Sequence, residues 1–296
     1  MLTIDPKELT VPALHAYLLG AVAPRPIAFA STLDEEGNPN LSPFSFFNVF
    51  SSNPPILIFS PARRGRDNTT KHTFENAKVV RECVINIVNY DIVQQMSLSS
   101  VEYPKGVNEF IKAGLTPLAS DVVKPFRVKE SPVQIECKIN DVIELGTKGG
   151  AGNLVICEVV RMHIDEKILD EKGNIDPFKI DQVARLGGDW YARVRPGLFE
   201  VAKPNVKIGI GVDQIPSDIR FSKILTGNHL GQLGNVEILP DETSVNEYKL
   251  TELADLFIEF ENDQASLEIE LHKRAATLLD AGDVQQAWLT LLTFNN

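Results

Sequence analysis

Cysteine is scarce in this sequence of 296 residues, which contains only Cys83, Cys137 and Cys157. An odd count without CxxC spacing argues against a disulfide framework and against a zinc site built from thiolates. Each cysteine lies in an apolar segment with strand character, as in Cys83-Val84-Ile85. We therefore predict three buried thiols with a structural role.

Long apolar runs are also absent, and so is an excess of positive charge. No stretch approaches the roughly 18 apolar residues of a membrane-spanning helix. Residues 1–5 have neither the basic flank nor the apolar run of a secretory signal. The net charge of −11 disfavours nucleic acid or an anionic membrane as a partner. These features predict a cytoplasmic protein that binds neither nucleic acid nor membrane.

The common catalytic motifs are missing as well. The chain has no G-x-S-x-G nucleophile elbow, no H-E-x-x-H metal motif and no P-loop. Its five histidines are scattered without ligand spacing, and we expect no metal site.

The charge that is present is unevenly distributed. Residues 201–296 carry 7 Lys/Arg and 15 Asp/Glu, a balance of −8, which leaves only −3 for the first 200 residues. We predict a first domain over residues 1–200 and an acidic C-terminal extension over residues 201–296. The near-neutral first domain is the better place to look for an anionic ligand.

Short apolar segments separated by turn residues dominate the first domain. Extended segments are predicted at residues 27–33, 40–52, 55–60 and 83–88, and helices at 72–80 and within 91–114. Residues 133–139 alternate, which predicts a strand with one buried and one wet face, while the apolar residues 154–160 predict a strand covered on both sides. The pattern predicts a mainly β fold with helical insertions, a barrel or a sandwich.

The last fifty residues predict an amphipathic helical hairpin. Residues 244–247 have capping-box spacing, and apolar residues then recur at helical spacing from Leu253 to Leu278. Residues 281–283 break this helix and cap a second one, which runs to Phe294.

Polar side chains are densest between Arg25 and Asn76. Residues 40–48 alternate hydroxyls and amides with aromatic rings, and residues 63–71 contain four cations and two threonines. A flat heteroaromatic ligand with a terminal phosphate needs this mixture, because aromatic surfaces cover the ring and Arg, Lys and Thr bind the phosphate. A basic loop is also commonly a solvated turn, so the chemistry alone leaves both interpretations open.

The residue motifs of several segments favour the ligand-binding interpretation over the solvated turn. Arg25-Pro26-Ile27-Ala28, Ser31-Thr32, the segment from Asn40 to Asn48, Pro54-Pro55, the segment from Lys71 to Asn76 and the segment from Arg185 to Tyr191 follow one another in a characteristic order. In order and spacing they resemble the flavin reductase-like family of FMN-binding split β-barrels, over roughly residues 10–200.

The resemblance implies a homodimer that holds FMN non-covalently near the subunit interface and receives hydride from NADH or NADPH. It also implies a cofactor-binding set of fourteen residues: Ser31 and Thr32 at the ribityl chain or phosphate; Ser42, Phe44, Ser45 and Asn48 along the isoalloxazine; Ser60, Arg63, Arg66, Thr70 and Lys71 at the phosphate; and Arg185, Gly188 and Tyr191 closing the site. His72 stands where many relatives carry an acidic residue, so its neighbourhood is open. No catalytic acid or base is assigned.

The functional prediction is an NAD(P)H-dependent flavin oxidoreductase, with a partner oxygenase as a possible recipient of its electrons. An FMN-binding carrier or sensor without reductase activity would share every motif. A non-flavin interaction protein that binds through the acidic helical hairpin is a third hypothesis. An oxidase of the pyridoxamine phosphate type matches these motifs less well.

Overall fold

Antiparallel strands form the framework of the N-terminal part of the chain. The structure is a computed structural model that describes residues 1–203 and 208–295. The chain divides into two compact units, Met1–Leu198 and Phe199–Asn296. Each unit is described separately. No helix among the described residues is long and apolar enough to cross a membrane.

Seven strands of the N-terminal unit belong to one sheet. They are β1 (Ala28–Leu33), β2 (Pro39–Phe44), β3 (Phe47–Ser52), β4 (Pro55–Phe59), β5 (Glu82–Ile87), β8 (Val133–Glu144) and β9 (Asn153–Ile164), and the short pairs are β6 (Pro117–Leu118) with β7 (Arg127–Val128) and β10 (Val183–Arg185) with β11 (Tyr191–Arg193). The sheet order is β2-β1-β5-β8-β9-β4-β3, with every neighbouring pair antiparallel.

The two edges of this sheet are strands that follow each other in the sequence. Only Ser45 and Phe46 separate β2 from β3. Because so short a link spans both edges, the sheet must curl until they approach, which gives a barrel split between β2 and β3. The single extended segment predicted at residues 40–52 is therefore wrong in detail, since the chain leaves one edge at Ser45 and enters the other.

Five helices accompany the sheet. They are α1 (Val11–Ala21), α2 (His72–Val79), α3 (Val93–Leu98), α4 (Glu109–Ala113) and α5 (Pro177–Ile180). Strand β1 is buried on both faces. Its small residues Ala28 and Ala30 lie in the barrel core, whereas Phe29 packs in a second core with Met96 of α3 and Phe110 of α4. The alternation of small and large residues along β1 thus serves two cores.

The prediction that strand β8 has one solvent-exposed face is wrong for Gln134 and Glu136. Gln134 and Glu136, which the alternation places on the polar face, are both buried. The segment before β8 covers them: Arg127 donates to Gln134 Oε1 at 3.1 Å, and the backbone N–H groups of Asp121 and Val122 donate to the Glu136 carboxylate. A buried polar group is tolerated when it is fully hydrogen-bonded.

Strand β9 is fully covered on one side and partly covered on the other, where Leu154 and Ile156 are half-buried, so the prediction that residues 154–160 are covered on both sides fails at Val160 within the described chain. Val155 and Cys157 are fully buried, but Val160, Met162 and Ile164 on the later part of the strand are exposed. The predicted burial of the three cysteines is confirmed. Cys83 and Cys157 lie in the barrel core with their Sγ atoms 3.7 Å apart.

The described part of the C-terminal unit is helical. Its helices are α6 (Ser217–Arg220), α7 (Gly227–Leu233), α8 (Glu242–Glu252), α9 (Ala254–Glu259), α10 (Gln264–Asp280) and α11 (Val284–Leu292). The predicted hairpin is confirmed as α10 and α11, joined by Gly282 at φ +82° and capped by Asp283.

Two details of this unit differ from the prediction. Helix α8 begins earlier than the capping-box spacing indicated, because the Asp241 side chain caps it and Ser244 lies inside the helix. The apolar stripe from Leu253 to Leu278 is not one helix, since Asp263 caps a new one. Leu253, Leu267 and Leu271 still share one core.

His272 of α10 is buried and held by a serine. Its Nδ1 lies 2.8 Å from the Ser222 hydroxyl, whose oxygen also accepts the backbone N–H groups of Ile224 and Leu225. The hydroxyl hydrogen is therefore free to donate to Nδ1, which requires an unprotonated Nδ1. Burial lowers the pKa of His272, although Glu268 and Asp218 oppose the shift.

This geometry predicts that the C-terminal unit loses stability at mildly acidic pH. A histidine with a pKa below its unfolded value of about 6.5 contributes stability above that pH and loses it as the pH falls toward the folded pKa. Scanning calorimetry of the full chain between pH 7.5 and 5.5 should show a fall in the unfolding midpoint that His272→Gln makes shallower. Equal slopes in both proteins would contradict the assignment.

Candidate functional site

A basic loop connects the end of β4 to the start of α2. The backbone of Arg63 donates to Ala151 O at 2.8 Å and accepts from Gly150 N at 3.0 Å, which fastens the loop to the turn between β8 and β9. A Cβ atom at Gly149 would lie 2.9 Å from the Arg64 carbonyl oxygen, so this close approach needs glycine. The loop is thus held to this turn by its backbone, and its Arg63 and Arg64 side chains make further hydrogen bonds to Asn68 and Thr69.

Three cations around this loop converge on one carboxylate. Arg64 Nε lies 2.9 Å from Glu102 Oε1, Lys71 Nζ lies 3.6 Å from the same oxygen, and Arg66 forms a short contact with Oε2. Burial and the neighbouring Arg64 lower the pKa of Lys71. We call Arg64, Arg66 and Lys71 the cation cluster.

A small polar cleft opens beside the cation cluster. It is lined by Asn40, Ser42, Arg64, Lys71, His72, Thr73, Ser99, Ser100, Val101, Glu102, Tyr103 and Glu109. Helix α2 begins at this cleft, and Lys71 at its N-cap position makes no side-chain capping bond. An uncapped helix N-terminus beside several cations favours an anion.

A hydrogen-bond network supports the cleft from behind. The Asn40 side-chain amide donates to Thr32 Oγ1 at 3.2 Å and to Thr73 Oγ1 at 2.8 Å, and the Asn76 amide donates to Thr32 Oγ1 at 3.1 Å. All four residues are buried. The network joins β1, β2 and α2 and fixes Asn40 and Thr73 where they face the cleft.

Glu109 adds a buried carboxylate to the same cleft. Its Oε2 accepts the backbone N–H of Leu41 at 3.0 Å on the open edge of β2. Burial raises the pKa of Glu109, with the Leu41 hydrogen bond opposing the shift. The group thus holds the edge strand and leaves Asn40 and Ser42 in position on either side of Leu41.

A second group of polar residues surrounds Arg25, which is buried. Its guanidinium donates to the carbonyl oxygens of Leu19 at 2.7 Å, Val22 at 2.6 Å and Leu186 at 2.8 Å, and more weakly to Ser45 Oγ at 3.4 Å. Its backbone pairs with that of Arg185. Arg185 in turn lies 4.5 Å over the ring of Tyr191.

The structure brings part of the predicted site together. Ser42 and Lys71 line the polar cleft, with Thr32 directly behind it, and Arg63 and Thr70 line an adjoining opening that shares Arg64 and His72. Arg66 contacts the same Glu102 as the other two cations. His72 therefore faces the region predicted to hold the phosphate.

Other predicted residues lie outside this cleft. Phe44 packs in the barrel core, 5.4 Å from Phe59. Ser45, Arg185 and Tyr191 form the group around Arg25, and Gly188 lies in the turn between β10 and β11 with φ +58°. Asn48 is exposed on β3, and Ser60 is buried, accepting the Asn153 N–H at 3.0 Å. Ser31 is buried, and its Oγ finds no hydrogen-bond partner within the described chain.

Several lining residues were not assigned from the sequence. Arg64 belongs to the basic segment of residues 63–71, and Thr73 belongs to the motif from Lys71 to Asn76. The number of cations in the basic segment was the sequence signal that pointed to Arg64. Ser99, Ser100 and Glu102 come from the loop after α3, and Glu109 comes from α4. Nothing in the local pattern of those segments predicts that the fold brings them to residues 40 and 71.

Comparisons with known proteins match the N-terminal unit of the chain. The profile of the Flavin reductase like domain matches residues 20–178, all within the N-terminal unit. An uncharacterised protein of Aquifex aeolicus is 38% identical over 187 residues, which cover 63% of this chain and 93% of that protein.

Two solved structures are similar as well. The chain is 32% identical to nitrilotriacetate monooxygenase component B from Bacillus cereus, with a TM-score of 0.63 over 69% of this chain and 98% of that chain. It is 26% identical to the 2-nitrobenzoate 2-nitroreductase of Pseudomonas fluorescens, with a TM-score of 0.63 over 71% of this chain and 100% of that chain.

The contrast between Thr32 and Ser31 gives a direct test of the network behind the cleft. Thr32→Val keeps the shape but removes the acceptor of two buried amides, which should lower the free energy of unfolding by about 1–3 kcal/mol. Ser31→Ala removes a buried hydroxyl with no partner within the described chain and should not lower that energy. Urea unfolding measures both, and equal losses would contradict the network.

Proposed function

The chain belongs to the flavin reductase-like family, and from this premise we propose that it binds FMN non-covalently and transfers hydride to flavin from NADH or NADPH. The family match and the structural neighbours confirm the family and the split-barrel fold that the sequence motifs predicted. The family and the structural neighbours support a flavin-linked oxidoreductase as the general class. The observation that carries the finer proposal is the cation cluster at the uncapped N-terminus of α2.

The residues of the cleft fit the phosphate end of FMN. A phosphate monoester carries about two negative charges at neutral pH and offers three strong acceptor oxygens. The cleft offers the cations Arg64 and Lys71 and the first turn of α2. Positive charge is concentrated here although the chain as a whole has a net charge of −11, which favours an anionic ligand at this place.

The residues near Arg25 suit the ring end. Ser42 in the cleft and Ser45 beside Arg25 belong to one continuous stretch of chain, so a ligand held at the cation cluster can extend along β2 toward the corner at Ser45. The Phe46 ring at this corner is partly exposed and contacts His15 of α1 edge-on at 6.1 Å. An exposed aromatic beside hydroxyls provides the mixed surface that an isoalloxazine needs.

The chain's part in the proposed reaction is to bind and orient rather than to move protons. When bound, FMN supplies the acceptor for the hydride of the nicotinamide. Arg64 and Lys71 neutralise the phosphate, and Ser42 and Ser45 offer hydrogen bonds to polar atoms of the ring. Hydride transfer itself needs no acid or base, which agrees with the absence of acid–base motifs in the sequence.

A second copy of the chain is the proposed partner. Val49 and Phe50 on β3 are exposed at 60% and 63%, and Met162 on β9 is exposed at 49%. Apolar side chains on strands that the described chain leaves uncovered suit an interface between subunits. Sedimentation equilibrium tests the homodimer, and a monomer at micromolar concentration would contradict it.

Similarity to a monooxygenase component favours an oxygenase as the recipient of the electrons of reduced flavin. Since nitrilotriacetate monooxygenase component B is 32% identical, a partner oxygenase is the proposed recipient of reduced flavin. An electron carrier fed by another protein is the alternative. Steady-state oxidation of NADH and of NADPH with free FMN separates them, because only a reductase sustains turnover.

Loss of positive charge from the basic loop should weaken FMN binding. Replacing Arg63 and Arg66 together with alanine is expected to raise the dissociation constant of FMN about tenfold, since one cation of the cluster and one cation of the adjoining opening are lost beside the phosphate. Fluorescence titration of the flavin measures the change.

Two controls make this result specific. Riboflavin, which lacks the phosphate, should bind the double variant and the wild type equally. Lys172→Ala removes an exposed cation from a turn elsewhere in the N-terminal unit and should leave FMN affinity unchanged. Unaltered FMN affinity in the double variant would show that the phosphate lies elsewhere.

A further inference from the structure

Glu102 holds an unusual position in the candidate site. It belongs to the loop between α3 and α4, more than thirty residues from the basic loop, yet its carboxylate contacts all three members of the cation cluster. Two of these contacts are made through Arg64 Nε at 2.9 Å and Lys71 Nζ at 3.6 Å. One carboxylate thus occupies the point at which the cations converge.

The charges around Glu102 do not balance. Arg66 has a second partner, Asp67, at 3.0 Å, but Arg64 and Lys71 form no other ion pair within the described residues. Three cations therefore face two carboxylates, and without Glu102 the excess is two positive charges. A phosphate monoester of about −2 matches that excess better than one carboxylate does.

Glu102 can leave this position at little cost. Its side chain is 35% exposed, and ion pairs at such exposure contribute little to stability because solvent screens them. The loop that carries it, with Ser99, Ser100 and Tyr103, forms one wall of the cleft. Rotation of one side chain into solvent would expose the cation cluster without disturbing the buried network of Thr32, Asn40 and Asn76.

We propose that Glu102 is an internal competitor for the phosphate of the flavin, occupying the cation cluster until the phosphate displaces it. The inference rests on the proposed function, because it concerns the same site. The three cations exchange one carboxylate for a phosphate of higher charge, and no covalent bond changes.

The competition determines which flavins bind more tightly because of the cation cluster. A phosphorylated flavin must displace Glu102, and its net gain is the difference between two sets of ion pairs. Riboflavin brings no anion, so Glu102 stays in place and its removal changes nothing for that ligand. Glu102 thereby lowers the affinity for FMN selectively.

The variant Glu102→Gln tests this inference in the full-length protein. It removes the charge and keeps the size, so FMN should bind about tenfold more tightly, while the affinity for riboflavin should not change. Glu102→Asp keeps the charge on a shorter side chain and should bind FMN with an affinity between those of wild type and Glu102→Gln. Glu166→Gln, at an exposed carboxylate far along the chain, is the control and should match the wild type. Circular dichroism confirms folding of each variant.

Every outcome bears on the proposal. Weaker or equal FMN binding by Glu102→Gln would overturn it, because removal of a carboxylate that competes with the phosphate should strengthen FMN binding. An equal gain for riboflavin would also overturn it, since Glu102 would then obstruct the cleft rather than compete with phosphate. Failure of wild type and variant alike to bind FMN would overturn the proposed function together with this inference, which distinguishes the two failures.

Discussion

The buried guanidinium of Arg25 joins parts of the N-terminal unit that are distant in sequence. It binds carbonyl oxygens at the end of α1 and at Leu186, reaches Ser45 at the corner between β2 and β3, and pairs by backbone with Arg185. Burial and Arg185 lower the pKa of Arg25, but the group stays charged because a guanidinium has so high an intrinsic pKa. A buried cation is tolerated when its donors find acceptors, and here three carbonyl oxygens and the Ser45 hydroxyl accept its hydrogen bonds.

This constraint explains how one unit can place a polar site on a split barrel. The barrel has to open where β2 and β3 part, and at that corner Arg25 binds Ser45 while the Ser60 N–H donates to Phe46 O at 2.9 Å. Farther along β2, Glu109 holds the backbone at Leu41, and the Thr32 network holds Asn40. The edge strand is thus fixed from one end to the other, and its side chains face the cleft in a defined register.

Local features of the fold were predictable from the sequence, and features that depend on distant segments were not. The hairpin of β1 and β2 and the break at Gly282 follow from turn residues next to one another. The burial of Gln134 and Glu136 depends on a covering segment that lacks any periodic signal. The division of residues 40–52 into two strands depends on closure of the whole sheet.

The residues of the candidate site also fall into two groups, those that the sequence predicts and those that only the folded chain brings to the cleft. Lys71 and Ser42 stand in motifs whose wording carries the family resemblance, and the structure brings them to one cleft. Glu102 and Glu109 have no motif, since a single acidic residue in a loop or a short helix is common. Their approach to residues 40–71 follows from the packing of α3 and α4 on the second core, which only the folded chain displays.

The central claim is that this chain holds FMN and reduces it with a nicotinamide. The most direct measurement is the visible absorption spectrum of the protein incubated with FMN, freed of unbound flavin, and then mixed anaerobically with NADH or NADPH. The account predicts a flavin spectrum that bleaches with at least one of the two donors. A protein that retains no flavin, or a bound flavin whose spectrum persists with both donors, would contradict it.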